Sequence, residues 1–189
     1  SMDSQNAPLT DSFKRHHNYL RISLTERCNL RCSYCMPVDG VQLSPAEHLM
    51  NADEIFIIAQ TFVKFGVTKI RLTGGEPLVR KDFPKILELL STLNVELSLT
   101  SNAVSIDRHF EQLKNAGVKT VNISLDTLNA ERFHDITFRN YFDRVYQNIL
   151  KLITEGFKVK INAVLMRGVN EDEILDFIAF TKAQPVAFR

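Results

Sequence analysis

Residues 67–77 read Val67-Thr68-Lys69-Ile70-Arg71-Leu72-Thr73-Gly74-Gly75-Glu76-Pro77. They join a strand of alternating apolar and polar side chains to a glycine pair that stops it. Successive side chains along a strand face opposite ways. Ile70 and Leu72 therefore share one face, and Lys69, Arg71 and Thr73 the other. The alternation recurs in strand-like stretches near 19–25, 95–100, 120–125 and 158–165. There Ile22 and Leu24 oppose Arg21, Ser23 and Thr25, while Val95, Leu97 and Leu99 oppose Glu96, Ser98 and Thr100. Val121, Ile123 and Leu125 oppose Asn122, Ser124 and Asp126, and Val159, Ile161 and Ala163 oppose Lys158, Lys160 and Asn162. A stretch from Val186 to Arg189 reads as the start of a sixth strand.

Helical patterns separate these strands. Asn51 with Glu54 reads as a capping box, followed by the apolar face Ile55, Ile58, Ala59 and Phe62 and a stop at Gly66. Further faces run through Ile86, Leu89, Leu90 and Leu93, through Phe110 and Leu113, and from Phe142 to Ile153. The last follows Asn170 and Glu173, read as its cap, through Ile174, Phe177 and Ile178. Strands alternating with helices predict βαβ units and a parallel sheet. Parallel sheets are usually apolar on both faces, and a closed barrel fills its interior with Val, Ile and Leu. Neither fits a sheet whose second face is polar and partly cationic. The expected fold is an incomplete parallel (β/α) barrel, a partial TIM barrel. Its helices lie outside, its concave face is polar, and it is truncated at the sixth strand. Inward Arg and Lys on that face suggest an anionic ligand.

The chain has 189 residues, 44% of them hydrophobic and 24% charged, and a net charge of +1. This composition suits one ordinary globular domain and argues against disorder. Residues 1–18 are polar and non-periodic, an expected flexible arm before a core over 19–189. Near-neutral charge gives no reason to expect nucleic acid or a membrane surface. The first residues lack the order of a secretion signal, so the expected location is the cytoplasm.

The three cysteines, Cys28, Cys32 and Cys35, fall in the segment CNLRCSYC directly after the first strand. An odd, tight group is a poor disulfide framework and a natural set of metal ligands. Three thiolates can hold zinc with a fourth ligand, but His16, His17 and His48 lack pair spacing. Alternatively they hold three irons of a 4Fe-4S cluster and leave one iron open.

The Cys-x3-Cys-x2-Cys spacing, with Tyr34 before the third cysteine, resembles the radical S-adenosylmethionine enzymes. The resemblance implies a 4Fe-4S cluster on Cys28, Cys32 and Cys35. It also implies S-adenosylmethionine chelating the open iron, and a 5′-deoxyadenosyl radical formed when the reduced cluster splits the sulfonium. Within the family, LRISLTERCNLRCSYCMP, KIRLTGGEPLVRKDF, LTSN, VNISLDTL and KVKINAVLMRGVN are similar to the branch that cyclises GTP in molybdenum cofactor biosynthesis. Carried over residue by residue, Tyr34, Gly75 and Ser124 match cofactor contacts. Arg21, Arg71, Thr100 and Lys160 match GTP contacts. No acid–base catalytic residue is assigned. The implied chemistry removes a ribose hydrogen and joins the sugar carbon to the guanine ring. A partner, cyclic pyranopterin monophosphate synthase, acts in the later step.

Ser101 and Ala103 stand where the branch has Thr and Gly. The branch also continues past Arg189 with a second cysteine triad for a second 4Fe-4S cluster, a glycine-ending tail and a cofactor-touching methionine. The expectation is a truncated chain that does not itself complete the cyclisation. Its open last strand would invite self-association, a homodimer being the simplest form. Two other readings stay open: a peptide-modifying radical enzyme, which would not require the cationic set, and a non-catalytic zinc or iron–sulfur module. His109 and His134 are expected at the surface.

Overall fold

The structure is a computed structural model that describes residues 18–26, 41–45, 47–137, 139–163 and 167–188, the last by its backbone alone. Seven strands form one all-parallel sheet: β1 (Tyr19–Ser23), β2 (Val41–Leu43), β3 (Lys69–Thr73), β4 (Glu96–Ser101), β5 (Thr120–Ser124), β6 (Lys158–Asn162) and β7 (Val186–Phe188). Their spatial order is β2-β1-β3-β4-β5-β6-β7. From β1 to β7 the order never reverses. A doubly wound sheet reverses at a switch point. Right-handed crossovers that all step the same way put their helices on one face. The sheet is open, with β2 and β7 at its edges.

The covering helices are α1 (Ala52–Lys64), α2 (Phe83–Ser91), α3 (Phe110–Asn115), α4 (Ala130–Thr137), α5 (Phe142–Thr154) and α6 (Ile174–Ala183). The core is the apolar sheet face packed against them. Leu20, Ile22, Ile70, Leu72, Leu99, Val121, Ile123 and Ile161 are fully buried with Ile55, Ala59, Ile86, Leu90, Leu113, Ile149 and Phe177. Each such Leu or Ile contributes about 1.5–3 kcal/mol relative to exposure. The alternation expected along the strands is realised: β3 and β6 both read exposed, buried, half-buried, buried from their first residue.

Local signals held in some places and failed in others. The capping box of α1 forms, with Glu54 N–H donating to Asn51 Oδ1 at 2.9 Å and Asn51 N–H donating to Glu54 Oε1 at 3.3 Å. Asn170 and Glu173 do not form one. Asn170 Nδ2 donates to the Asp126 carbonyl at 2.6 Å. Glu173, 4% exposed, accepts from Thr127 Oγ1 at 2.6 Å and Leu128 N–H at 2.9 Å and pairs with Arg132. The pair ties the β5 loop to the start of α6 instead of capping a helix.

Strand β2 and helix α4 are additions to the sequence reading. β2 is three residues long, half-buried and edge-bound, too short to show a period. α4 carries only Phe133, Ile136 and Thr137 as buried residues. Its start is marked by Asn129, whose Oδ1 accepts from Arg132 N–H at 3.0 Å. His134 is exposed as expected, whereas His109 is half-buried with its ring edge-on to Phe83 at 5.6 Å. No helix among the described residues is long and apolar enough to cross a membrane.

Candidate functional site

The strands aim their polar side chains at the uncovered face. Register makes Arg21, Arg71, Ser98, Thr120 and Lys158 one rung across β1, β3, β4, β5 and β6. Thr100, Asn122 and Lys160 form the next rung on β4, β5 and β6, and Ser124 opposes Asn162 above them. All four residues matched to GTP contacts therefore lie on two adjacent rungs of one face, spread from β1 to β6. Arg21 directly opposes Arg71, and like charges in that position repel.

Hydroxyl groups on neighbouring strands accept from both arginines. Arg21 Nε donates to Thr73 Oγ1 at 3.2 Å and Arg71 Nε to Ser98 Oγ at 3.4 Å. The Arg71 guanidinium also lies 5.5 Å above the Tyr19 ring. Glu96 does not reach these arginines; it pairs with Lys69 at 3.7 Å in an exposed position. Arg71 has no carboxylate partner among the described residues.

The rim above β3 is built on Gly74. Its φ is +142°, and a Cβ there would lie 2.5 Å from the Thr25 carbonyl oxygen. Only glycine permits that approach. The next residue uses it: Gly75 N–H donates to the Thr25 carbonyl at 2.6 Å, while Leu24 N–H donates to the Thr73 carbonyl at 2.9 Å. The β1 and β3 ends are thus laced together, leaving Gly75 exposed at the mouth.

Glu76 is fully buried. Its carboxylate accepts from Leu78 N–H at 3.3 Å, Ser101 Oγ at 2.9 Å and Asn102 N–H at 2.7 Å. Burial raises its pKa to about 7, against the opposing pull of those donors. The sequence reading had quoted Glu76 within its motif without giving it this work. Beside it Ala103 takes a φ of +63°, the left-handed conformation suited to glycine. Arg80 completes the rim, donating to the Leu24 carbonyl at 2.9 Å and the Met50 carbonyl at 2.6 Å.

Three buried polar atoms among the described residues have no partner: Tyr19 Oη, Asn122 Oδ1 and Asn162 Oδ1. Tyr19, Asn122 and Asn162 all sit at polar-face positions of β1, β5 and β6. Leaving such an atom unsatisfied costs about 1–3 kcal/mol. They cluster beside Arg71, which has no carboxylate partner among the described residues, and that is consistent with a face built around a polar anionic ligand. Ser124 lies exposed beyond them. Cys28, Cys32, Cys35 and Tyr34 lie outside the described residues. Among the described residues no group of three His, Cys, Asp or Glu side chains is arranged to hold a metal.

Comparison with known proteins follows this geometry. The family model for the Radical SAM superfamily matches residues 22–181. The chain is 50% identical over 187 residues to molybdenum cofactor biosynthesis protein 1 of Drosophila melanogaster, covering 98% of this chain and 33% of that protein. It is 49% identical over 184 residues to the mitochondrial GTP 3′,8-cyclase of Arabidopsis thaliana, covering 96% and 47%. Against the GTP 3′,8-cyclase of Listeria monocytogenes it is 45% identical over 184 residues, covering 96% and 55%. The chain thus spans between a third and about half of these relatives' lengths. In structure it resembles Streptococcus suis SuiB, with a TM-score of 0.68 at 25% identity over 87% of this chain and 37% of that one. An open parallel sheet with helices outside, a polar inner face and a match over most of its length make this chain a member of the radical SAM superfamily.

Proposed function

We propose that this chain is the cofactor- and substrate-binding core of a GTP 3′,8-cyclase acting in molybdenum cofactor biosynthesis. One observation supports the reading most: Arg21, Arg71, Thr100 and Lys160 occupy adjacent rungs of a face whose buried acceptors lack partners. In this reading Arg21, Arg71 and Lys160 hold the triphosphate. An Arg fork is suited to two phosphate oxygens and a Lys ammonium to one. Thr100 donates its hydroxyl to the same group. Asn122 and Asn162 offer acceptors to donors of the ribose or base, fixing the nucleoside relative to its phosphates.

The residues present suit the family's cofactor. Gly74 and Gly75 bring bare backbone to the rim, and Ser124 presents a hydroxyl beside it. Cys28, Cys32 and Cys35 would hold one 4Fe-4S cluster. Cluster and S-adenosylmethionine together supply a hydrogen-abstracting radical. The protein's part is to hold the sugar hydrogen within reach of that radical. Misplacement by about 1 Å can cost on the order of 100-fold in rate.

Iron and sulfide content after anaerobic reconstitution tests the cluster assignment. Four irons per chain, lost on Cys32→Ala, are expected. One zinc per chain, or an undiminished cluster in the variant, would contradict it.

A further inference from the structure

A second basic site lies away from the polar sheet face. A cleft of about 310 Å³ opens where the first turn of α5 meets the single-turn 3₁₀ helix Ile106–His109 and the loop after β3. Its floor is apolar, including Leu78 and Val104; its walls include Arg108, His109, Tyr141 and Arg144. None of the candidate site residues lines it. No carboxylate among the described residues does either. The nearby Asp107 is engaged, its Oδ1 accepting from Asn148 Nδ2 at 3.3 Å.

Both arginines are exposed, and neither guanidinium has an ion pair or hydrogen bond among the described residues. Arg144 only stacks over the Tyr141 ring at 5.3 Å. Two unneutralised guanidiniums on one cleft repel each other in the empty state. The first turn of α5 adds to the positive field, and Tyr141 at its N-cap makes no side-chain cap bond to neutralise it.

The cleft is also preformed. Buried Asn148 donates to the Ala103 carbonyl at 2.7 Å and the Val104 carbonyl at 3.3 Å, pinning α5 to the loop after β4. Val104 N–H donates to Asn102 Oδ1 at 3.0 Å. His109 is held by Phe83 on its ring edge and by Gln112 Oε1, 2.9 Å from its Nδ1. A rigid cleft with an apolar floor and a few convergent polar groups is what small-ligand sites share, and its volume is at the small end of their range of roughly 300–1,000 Å³.

We infer that this cleft binds a small phosphorylated metabolite of about the size of a nucleoside monophosphate. Its phosphate sits between Arg108 and Arg144, and its apolar or aromatic body lies on Leu78, Val104 and Tyr141. The site is separate from the proposed GTP face, since it shares no side chain with it.

AMP and inorganic phosphate are the probes, titrated by calorimetry into the chain and three variants. In the Arg71→Ala, Lys160→Ala chain, which disables the polar face, AMP should still bind, and more tightly than phosphate. In the Arg108→Ala, Arg144→Ala chain, AMP affinity should fall at least tenfold, the loss expected of one charge-assisted contact. Arg108→Lys should retain part of it. Thermal melts should shift little in the Arg108 and Arg144 variants, because both side chains are exposed and neither makes an ion pair or side-chain hydrogen bond among the described residues. Unchanged AMP affinity in the double arginine variant would overturn the proposal. So would loss of all binding with the polar-face variant, equal affinity for AMP and phosphate, or no binding at millimolar AMP.

Discussion

Glu76 shows how much one side chain can organise. Fully buried, it accepts from Leu78 N–H in its own loop and from Ser101 Oγ and Asn102 N–H at the end of β4, so one carboxyl group joins the two segments. Its pKa rises from 4.5 to about 7 on folding. Between those values the folded chain keeps a proton that the unfolded chain has released. Its contribution is therefore complete below pH 4.5, declines as pH rises, and levels off above about pH 7. The full decline is about 3 kcal/mol, at 1.36 kcal/mol per pKa unit. Urea unfolding of the wild type and Glu76→Gln across this range should show their stability difference shrinking as pH rises. A difference independent of pH would mean that the carboxyl group does not titrate in this window.

At the scale of elements, the rim depends on the backbone approach at Gly74. Gly74→Ala should lower stability by at least about 2 kcal/mol, because its Cβ meets a backbone oxygen that cannot move aside and its φ is strained as well. Gly117→Ala is the control: φ is +80° there, but nothing lies within 4 Å of the added Cβ. It should cost about 1 kcal/mol, the strain alone. Equal melting temperatures for the two variants would show that the close approach carries no energetic weight.

The strands were legible because alternation over five residues on each of several strands is a strong signal. The Asn51 cap was legible because both halves of its box lie within one turn. Strand β2 was not, since three edge residues carry no period. Nor was the role of Glu173, whose partners Thr127, Leu128 and Arg132 lie about 40 residues away in sequence. The polar face was readable as a face, and Arg21, Arg71, Thr100 and Lys160 were readable as its members. The unpartnered acceptors Tyr19, Asn122 and Asn162 were not, because being an orphan is a property of the surroundings rather than of the residue type.

Across the whole molecule, a single direction of winding does two things. It stacks the described helices on the outer face, and it leaves the inner face to polar side chains with no described helix over it. At the β7 end, Ile174, Leu175 and Ile178 of α6 are exposed, Leu175 by 74%. Val186 of the edge strand is 8% exposed against β6. The inner face is the larger feature: it carries three cations, and Arg71 has no carboxylate partner among the described residues.

That face is the central claim, and the most direct measurement is GTP affinity in the reconstituted chain with and without Arg71→Ala, followed alongside S-adenosylmethionine binding. Removing one charge-assisted contact costs about 1.5–3 kcal/mol, so GTP binding should weaken roughly tenfold to hundredfold while S-adenosylmethionine binding stays as it was. GTP affinity that is unchanged by Arg71→Ala would contradict the assignment of the polar face to the triphosphate.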